Sequence, residues 1–82
     1  MLLERGETEE CITLSVRILG KDRCWEEAYR LLMKAYHRQN NRAMVIRVYK
    51  KCRDSLKAEL GVSPAEETVH LFKKLVAAAD NF

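Results

Sequence analysis

Apolar residues recur along this chain at helical spacing in successive stretches separated by short polar breaks. The clearest stripe is Trp25, Ala28, Tyr29, Leu32, Ala35 and Tyr36, the i, i+3, i+4, i+7 pattern of an amphipathic helix. Leu31 and Met33 lie on its flanks, so this helix is expected to be central. A second stripe follows over Arg42 to Leu60, with Val45, Val48, Tyr49, Cys52, Leu56 and Leu60 on one side. Its other side carries Arg47, Lys50, Lys51, Asp54 and Lys57. Between the two stripes stands Gln39-Asn40-Asn41. Asn tolerates the left-handed backbone that ends a helix, and its side chain caps the next one. Gly61 closes the second helix. The stretch from Asp22 to Gly61 therefore reads as an antiparallel helical hairpin.

The flanking segments are less uniform. Ser63-Pro64-Ala65-Glu66 has the order of a capping box, with Ser at N-cap, Pro at N1 and Glu at N3. It predicts a last helix from Pro64 to Ala79 presenting Val69, Phe72, Leu75, Val76 and Ala79. Upstream, Ile12, Leu14, Val16 and Ile18 alternate as a strand would. Cys11, Leu14 and Ile18, widened by Leu19 and preceded by Glu7, Glu9 and Glu10, fit a helix from Glu7 to Leu19. On the helical reading Thr8 is its cap, Gly20 its C-terminal stop, and Asp22 the N-cap of the next helix.

An internal repeat decides for helix. Sliding the sequence on itself by 34 residues sets Cys11, Ile12, Leu14 and Ile18 on Val45, Ile46, Val48 and Cys52, with Gly6 and Asn40 opening the two copies. That offset is the period of tetratricopeptide helix–turn–helix repeats, which stack in solenoids. In the central hairpin, Leu32, Met33 and Tyr36 stand where the first helix of such a repeat wants large, small and aromatic residues. Val45, Tyr49 and Cys52 stand where the second wants small, aromatic and small. Met33 departs from the small residue, and the usual Pro after the second helix is missing near Lys57. The expected fold is all-α: tetratricopeptide-like helical hairpins, about four helices, a right-handed α-solenoid fragment.

Size and charge narrow the function. The 82 residues make one small domain, with one Pro and three Gly, too few for a linker or a turn-rich β protein. The net charge is only +3, with basic and acidic residues interleaved as on solvated helix faces. Cys11, Cys24 and Cys52 cannot all pair within one chain, and none is at CxxC spacing, so they read as buried free thiols of a reducing cytoplasm. No apolar run approaches the length of a membrane span. With His37 and His70, the cysteines form no short-spaced metal-ligand set. There is no phosphate loop and no nucleophile with a recognisable base, so no catalytic residue, metal or cofactor is assigned. Paired acids at Glu9-Glu10, Glu26-Glu27 and Glu66-Glu67 suit the first turns of helices.

What remains is surface. The first helix of each pair lines the concave side of a tetratricopeptide array, which makes Arg30, Met33, Lys34 and His37 candidates for a shallow groove. Arg42, Arg47, Lys50, Lys51 and Lys57, with Lys34, His37 and Arg38 across the turn, form a basic face. Its ordinary reading is a solvated helix side; its functional reading is a contact with DNA or an acidic partner. Asp54 interrupts it.

The run LLMKAYHRQNNRAMVIRVYKKCRDSLKAELGVSPAEETVHLFKKL resembles the bacterial transcriptional activator domain. This all-helical, tetratricopeptide-like module stands beside winged-helix DNA-binding domains in the antibiotic regulatory proteins of Streptomyces and related regulators. The resemblance lies in LLMKAY, an arginine-flanked turn, Tyr49 within a basic helix, and ELGVSP followed by an acidic residue, and it covers about residues 6 to 76. It implies a single non-catalytic domain over residues 1–82, a fragment of a larger cytoplasmic regulator whose winged helix lies upstream. The implied partners are other domains of that regulator, a second subunit or RNA polymerase, with DNA touched mainly by the winged helix. Two alternatives stand beside it: an auxiliary nucleic-acid-binding domain using the basic face of the 42–60 helix, and a generic tetratricopeptide adaptor. Uncovered by a preceding helix, Cys11, Leu14 and Ile18 are expected to be partly exposed and open to dimerisation.

Overall fold

In a computed structural model, which describes residues 5–80, the chain is α1 (Arg5–Lys21), α2 (Glu26–Arg38), α3 (Arg42–Leu60) and α4 (Glu66–Asp80). The described residues contain no strand, so the all-α expectation holds. Short connections make consecutive helices antiparallel neighbours. α2 packs against all three others; α4 rests on α2 and α3, and α1, among the described residues, on α2 alone. The helix predicted to be central is central. The core is Tyr29, Leu32 and Met33 of α2 against Val45, Val48, Cys52 and Leu56 of α3. Ile12 and Leu19 close it from α1, and Leu71, Phe72, Leu75 and Val76 from α4.

The α2–α3 turn forms as its two asparagines dictate. Asn40 takes φ 57°, the left-handed region. Its N–H donates to the His37 carbonyl at 2.9 Å. Asn41 is the N-cap of α3, its Oδ1 accepting the Met44 N–H at 3.2 Å. At the other end of α3, Gly61 takes φ 65° and donates its N–H to Lys57 at 3.0 Å.

Three local expectations are corrected. The first concerns the start of α4. The Ala65 carbonyl accepts from Thr68 and Val69, so Ala65, not Ser63, stands at the N-cap position. The Ala65 N–H donates to Glu26 Oε2 of α2 at 2.9 Å, a carboxylate taking the place of a local cap. Ser63 is exposed, three positions before the first helical residue. Asn41→Ala is therefore expected to cost about 0.5–2 kcal/mol, while Ser63→Ala stays within about 0.5 kcal/mol of the parent. Parallel urea titrations of the two variants check the contrast.

The second correction is at the start of α1: the helix already includes Arg5, so Thr8 is a buried helical residue and not a cap. The third is the α1–α2 junction. Gly20 is still helical, and Asp22 accepts the Cys24 N–H at 3.0 Å within the turn, while Trp25 is the N-cap of α2 and half exposed. A Trp at a helix entrance precedes the first full turn, so its place in the stripe does not bring it into the core.

On α1 the partial exposure expected of Cys11, Leu14 and Ile18 is seen, and another set of residues meets α2. The inward positions of α1 are Thr8, Ile12, Ser15 and Leu19, spaced i, i+4, i+7, i+11, with Thr8 and Ser15 buried. Leu14, Val16 and Ile18 are exposed and Cys11 is half-buried. Small hydroxyl side chains let α1 lie close on α2, and hydropathy alone, which ranks Leu and Ile above Thr and Ser, selects another side of the helix.

Candidate interaction surface

The groove residues expected on α2 divide sharply. Met33 is 0 % exposed and is core, because α2 has neighbours on three sides and its flank is covered. It is withdrawn from the candidate surface. Arg30 is held: its Nη1 donates to Thr68 Oγ1 at 2.9 Å, and Nη2 lies 3.9 Å from Glu67. Thr68, fully buried on α4, in turn donates to Glu26 Oε2 at 2.6 Å. Glu26, Thr68 and Arg30 thus form a polar clasp that fixes α4 on α2. Arg30 is a structural residue here, with its guanidinium occupied. Neither Glu26 nor Thr68 was legible as a partner, since nothing in one sequence pairs residues so far apart.

Lys34 and His37 do line an open space. A cleft of 1140 Å³ lies between α1, α2 and α4, bordered by Thr8, Cys11, Leu31, Lys34, Ala35, His37, Arg38, Gln39, Asn40 and Leu75. Lys34 and Arg38 are exposed at its edge, His37 is half-buried, and Leu31 and Leu75 give it apolar ground. A cationic rim over an apolar floor suits an acidic, partly apolar segment of another polypeptide. Sequence reasoning found the cations but missed Leu31 and Leu75, which become a pair only when α4 folds back beside α2.

The basic residues of α3 reach solvent. Arg42, Arg47, Lys50, Lys51 and Lys57 are all exposed. Arg47, Lys51 and Arg23 rim a second, smaller groove of 370 Å³ between α1, α2 and α3, floored by Val16, Leu19, Tyr36, Met44 and Val48. Asp54 is exposed on the same helix, 3.6 Å from Arg53 Nε. At the turn end of that groove Arg23 pairs with Glu59 of α3 at 2.7 Å. An exposed pair of this kind adds little stability, but it lowers the positive potential there.

Of the three thiols expected to be buried, only Cys52 is; Cys11 and Cys24 are half-buried. All three cysteines are free, and Cys52 is buried in the core. Desolvation, with the Glu26 carboxylate adding to it, pushes the Cys52 thiol up to about 12, so it is protonated at neutral pH. Burial also raises Cys24, whose Sγ lies 3.7 Å from the Ser55 carbonyl. Among the described residues no group of three or more His, Cys, Asp or Glu could hold a metal ion, and no helix is long and apolar enough to cross a membrane.

Set beside known proteins, the sequence matches the family model of the bacterial transcriptional activator domain over residues 1–76. Neither a curated protein nor a solved structure matches.

Proposed function

We propose, from the premise that this chain belongs to the bacterial transcriptional activator domain family, that it serves its transcription regulator as a non-catalytic protein-contact module. The observation that carries this reading is the cleft between α1, α2 and α4, with Lys34, His37 and Arg38 at its rim and Leu31 and Leu75 in it. Arg47, Lys50 and Lys51 of α3 extend the cationic surface beyond the turn. The occupant on this reading is an acidic segment from another domain of the same regulator, a second subunit or RNA polymerase. The work is done in the cytoplasm, and DNA is bound mainly by a winged-helix domain elsewhere in the regulator.

The test is made in the complete regulator. Lys34→Glu with Arg38→Glu reverses the rim charge without touching the core, since both residues are exposed. Promoter activation is expected to fall on the order of tenfold, the equivalent of about 1.4 kcal/mol of contact free energy, while DNA affinity and helicity stay at parental values. Unchanged activation by the double variant would overturn the reading.

A further inference from the structure

α1 and α3 both lie along α2, and among the described residues they do not touch each other. The space between them is the 370 Å³ groove. Its floor is Leu19, Tyr36, Met44 and Val48, beside the buried Tyr29 and Leu32 of α2. Val16, exposed on α1, stands at its wall. A Met in such a floor adapts its shape to what lies on it. Gly20 also borders the groove, and a Cβ there would meet nothing within 4 Å, so this end is open.

Charge on the lining has one sign. Along the chain 15 cations stand against 12 acids, yet the charged residues of the groove are Arg23, Arg47 and Lys51, with no acid among them. Arg23 is engaged with Glu59. Arg47 and Lys51, one turn apart on α3, hold no ion pair among the described residues. Like charges at i,i+4 repel each other. An anion placed between them and the apolar floor relieves that repulsion.

We propose that this groove binds a small anionic amphiphile, an apolar chain ending in a carboxylate. The chain lies on Leu19, Tyr36, Met44 and Val48, and the carboxylate sits between Arg47 and Lys51. The groove has the size of small-molecule sites, which run to about 300–1,000 Å³. A two-turn helical segment of another protein, about 11 Å long and 10–12 Å across, displaces more than twice the volume of the groove and would enter it only by an edge. A compact anion without a chain would leave the floor uncovered. The groove shares no lining residue with the cleft between α1, α2 and α4, so this proposal and the contact reading fail separately.

Decanoate is the probe, titrated into the 82-residue chain at low salt and followed by amide chemical shifts. Shifts at Val16, Leu19, Tyr36 and Met44 are expected to saturate with a Kd on the order of 0.1–1 mM, while the amides of the other cleft stay in place. Butyrate, with less apolar surface to bury, should bind at least about tenfold more weakly. Added salt should weaken decanoate binding. Arg47→Glu with Lys51→Glu should weaken it about tenfold or more. Lys50→Glu with Lys57→Glu makes the same change of net charge on exposed residues outside the groove, and should leave it as it was. Val16→Glu alters only an exposed wall residue, and should weaken binding as well. Circular dichroism first checks that each variant keeps its helicity. The proposal is lost if decanoate leaves these amides unmoved, or if the two double variants lose affinity alike. It is lost equally if an acidic helical peptide moves them at concentrations where decanoate does not.

Discussion

Tyr29→Ala is expected to leave the chain without a cooperative thermal transition at any temperature. Tyr29 is 1 % exposed at the centre of the core. Its hydroxyl donates to the Arg23 carbonyl at 2.7 Å and lies 3.2 Å from Ser55 Oγ, so one side chain joins the α1–α2 turn, α2 and α3. Truncating a buried aromatic costs about 3–5 kcal/mol, and a core in a domain of this size supplies about 3–5 kcal/mol in all. Tyr29→Phe keeps the ring and should keep the transition, at a cost of about 1 kcal/mol for the lost hydrogen bonding. Circular dichroism melts of the three proteins read the difference directly. A sharp transition in Tyr29→Ala would show that the α2–α3 contact is not the source of cooperativity. Burial also pushes the Tyr29 phenol above its ordinary 10.0, which favours the neutral form in the folded state. The linked stability is whole below that ordinary value and is lost as pH rises through the raised one.

The second large effect is expected at Thr68. Thr68→Val preserves most of the volume of a side chain that is 0 % exposed, and removes its hydroxyl from between Glu26 and Arg30. Hydrogen bonds to charged groups are worth about 1.5–3 kcal/mol each, and both of the lost ones are of this kind. The Glu26 carboxylate keeps its bond from the Ala65 N–H, so the start of α4 is weakened and not released. A fall in Tm of at least about 12 °C follows from the scaling for a domain of this size. A cycle built from Thr68→Val and Glu26→Gln should show a coupling energy on the order of 0.5–3 kcal/mol. Strict additivity would mean that the clasp, though well formed, does not bind α4 to α2.

How far the sequence foretold all this follows from the range of the forces involved. The α2–α3 hairpin was legible because its determinants are local: a helical stripe, Asn40 suited to the left-handed backbone, Asn41 suited to capping, and Gly61 suited to the stop. The repeat offset carried the helical assignment to α1, where propensity left a strand open. The face of α1 was not legible, because Leu14, Val16 and Ile18 compete in hydropathy with a stripe containing Thr8 and Ser15. Only the close approach of α2 decides between them. The capping box at Ser63 matched its motif and still lost, because a carboxylate from α2 reaches the Ala65 N–H first. Met33 was placed on a groove by its flank position, and the third neighbour of α2 covers that flank. The cations of the cleft could be named in advance; Leu31 and Leu75 could not, because their pairing exists only in three dimensions.

The arrangement of helices around α2 also sets the order in which the molecule comes undone. α1 rests on a single neighbour, α4 on two, and α2 on three. Each helix can leave only by breaking its own contacts, so the outermost members open first and the middle one last. Native-state amide hydrogen exchange should therefore be graded, faster in α1 and α4, with the facing amides of α2 and α3 exchanging only through global unfolding. Contacts between chain neighbours also reduce the loop entropy that must be lost before folding is rewarded, so refolding should be fast, in the microsecond-to-millisecond range of helical bundles.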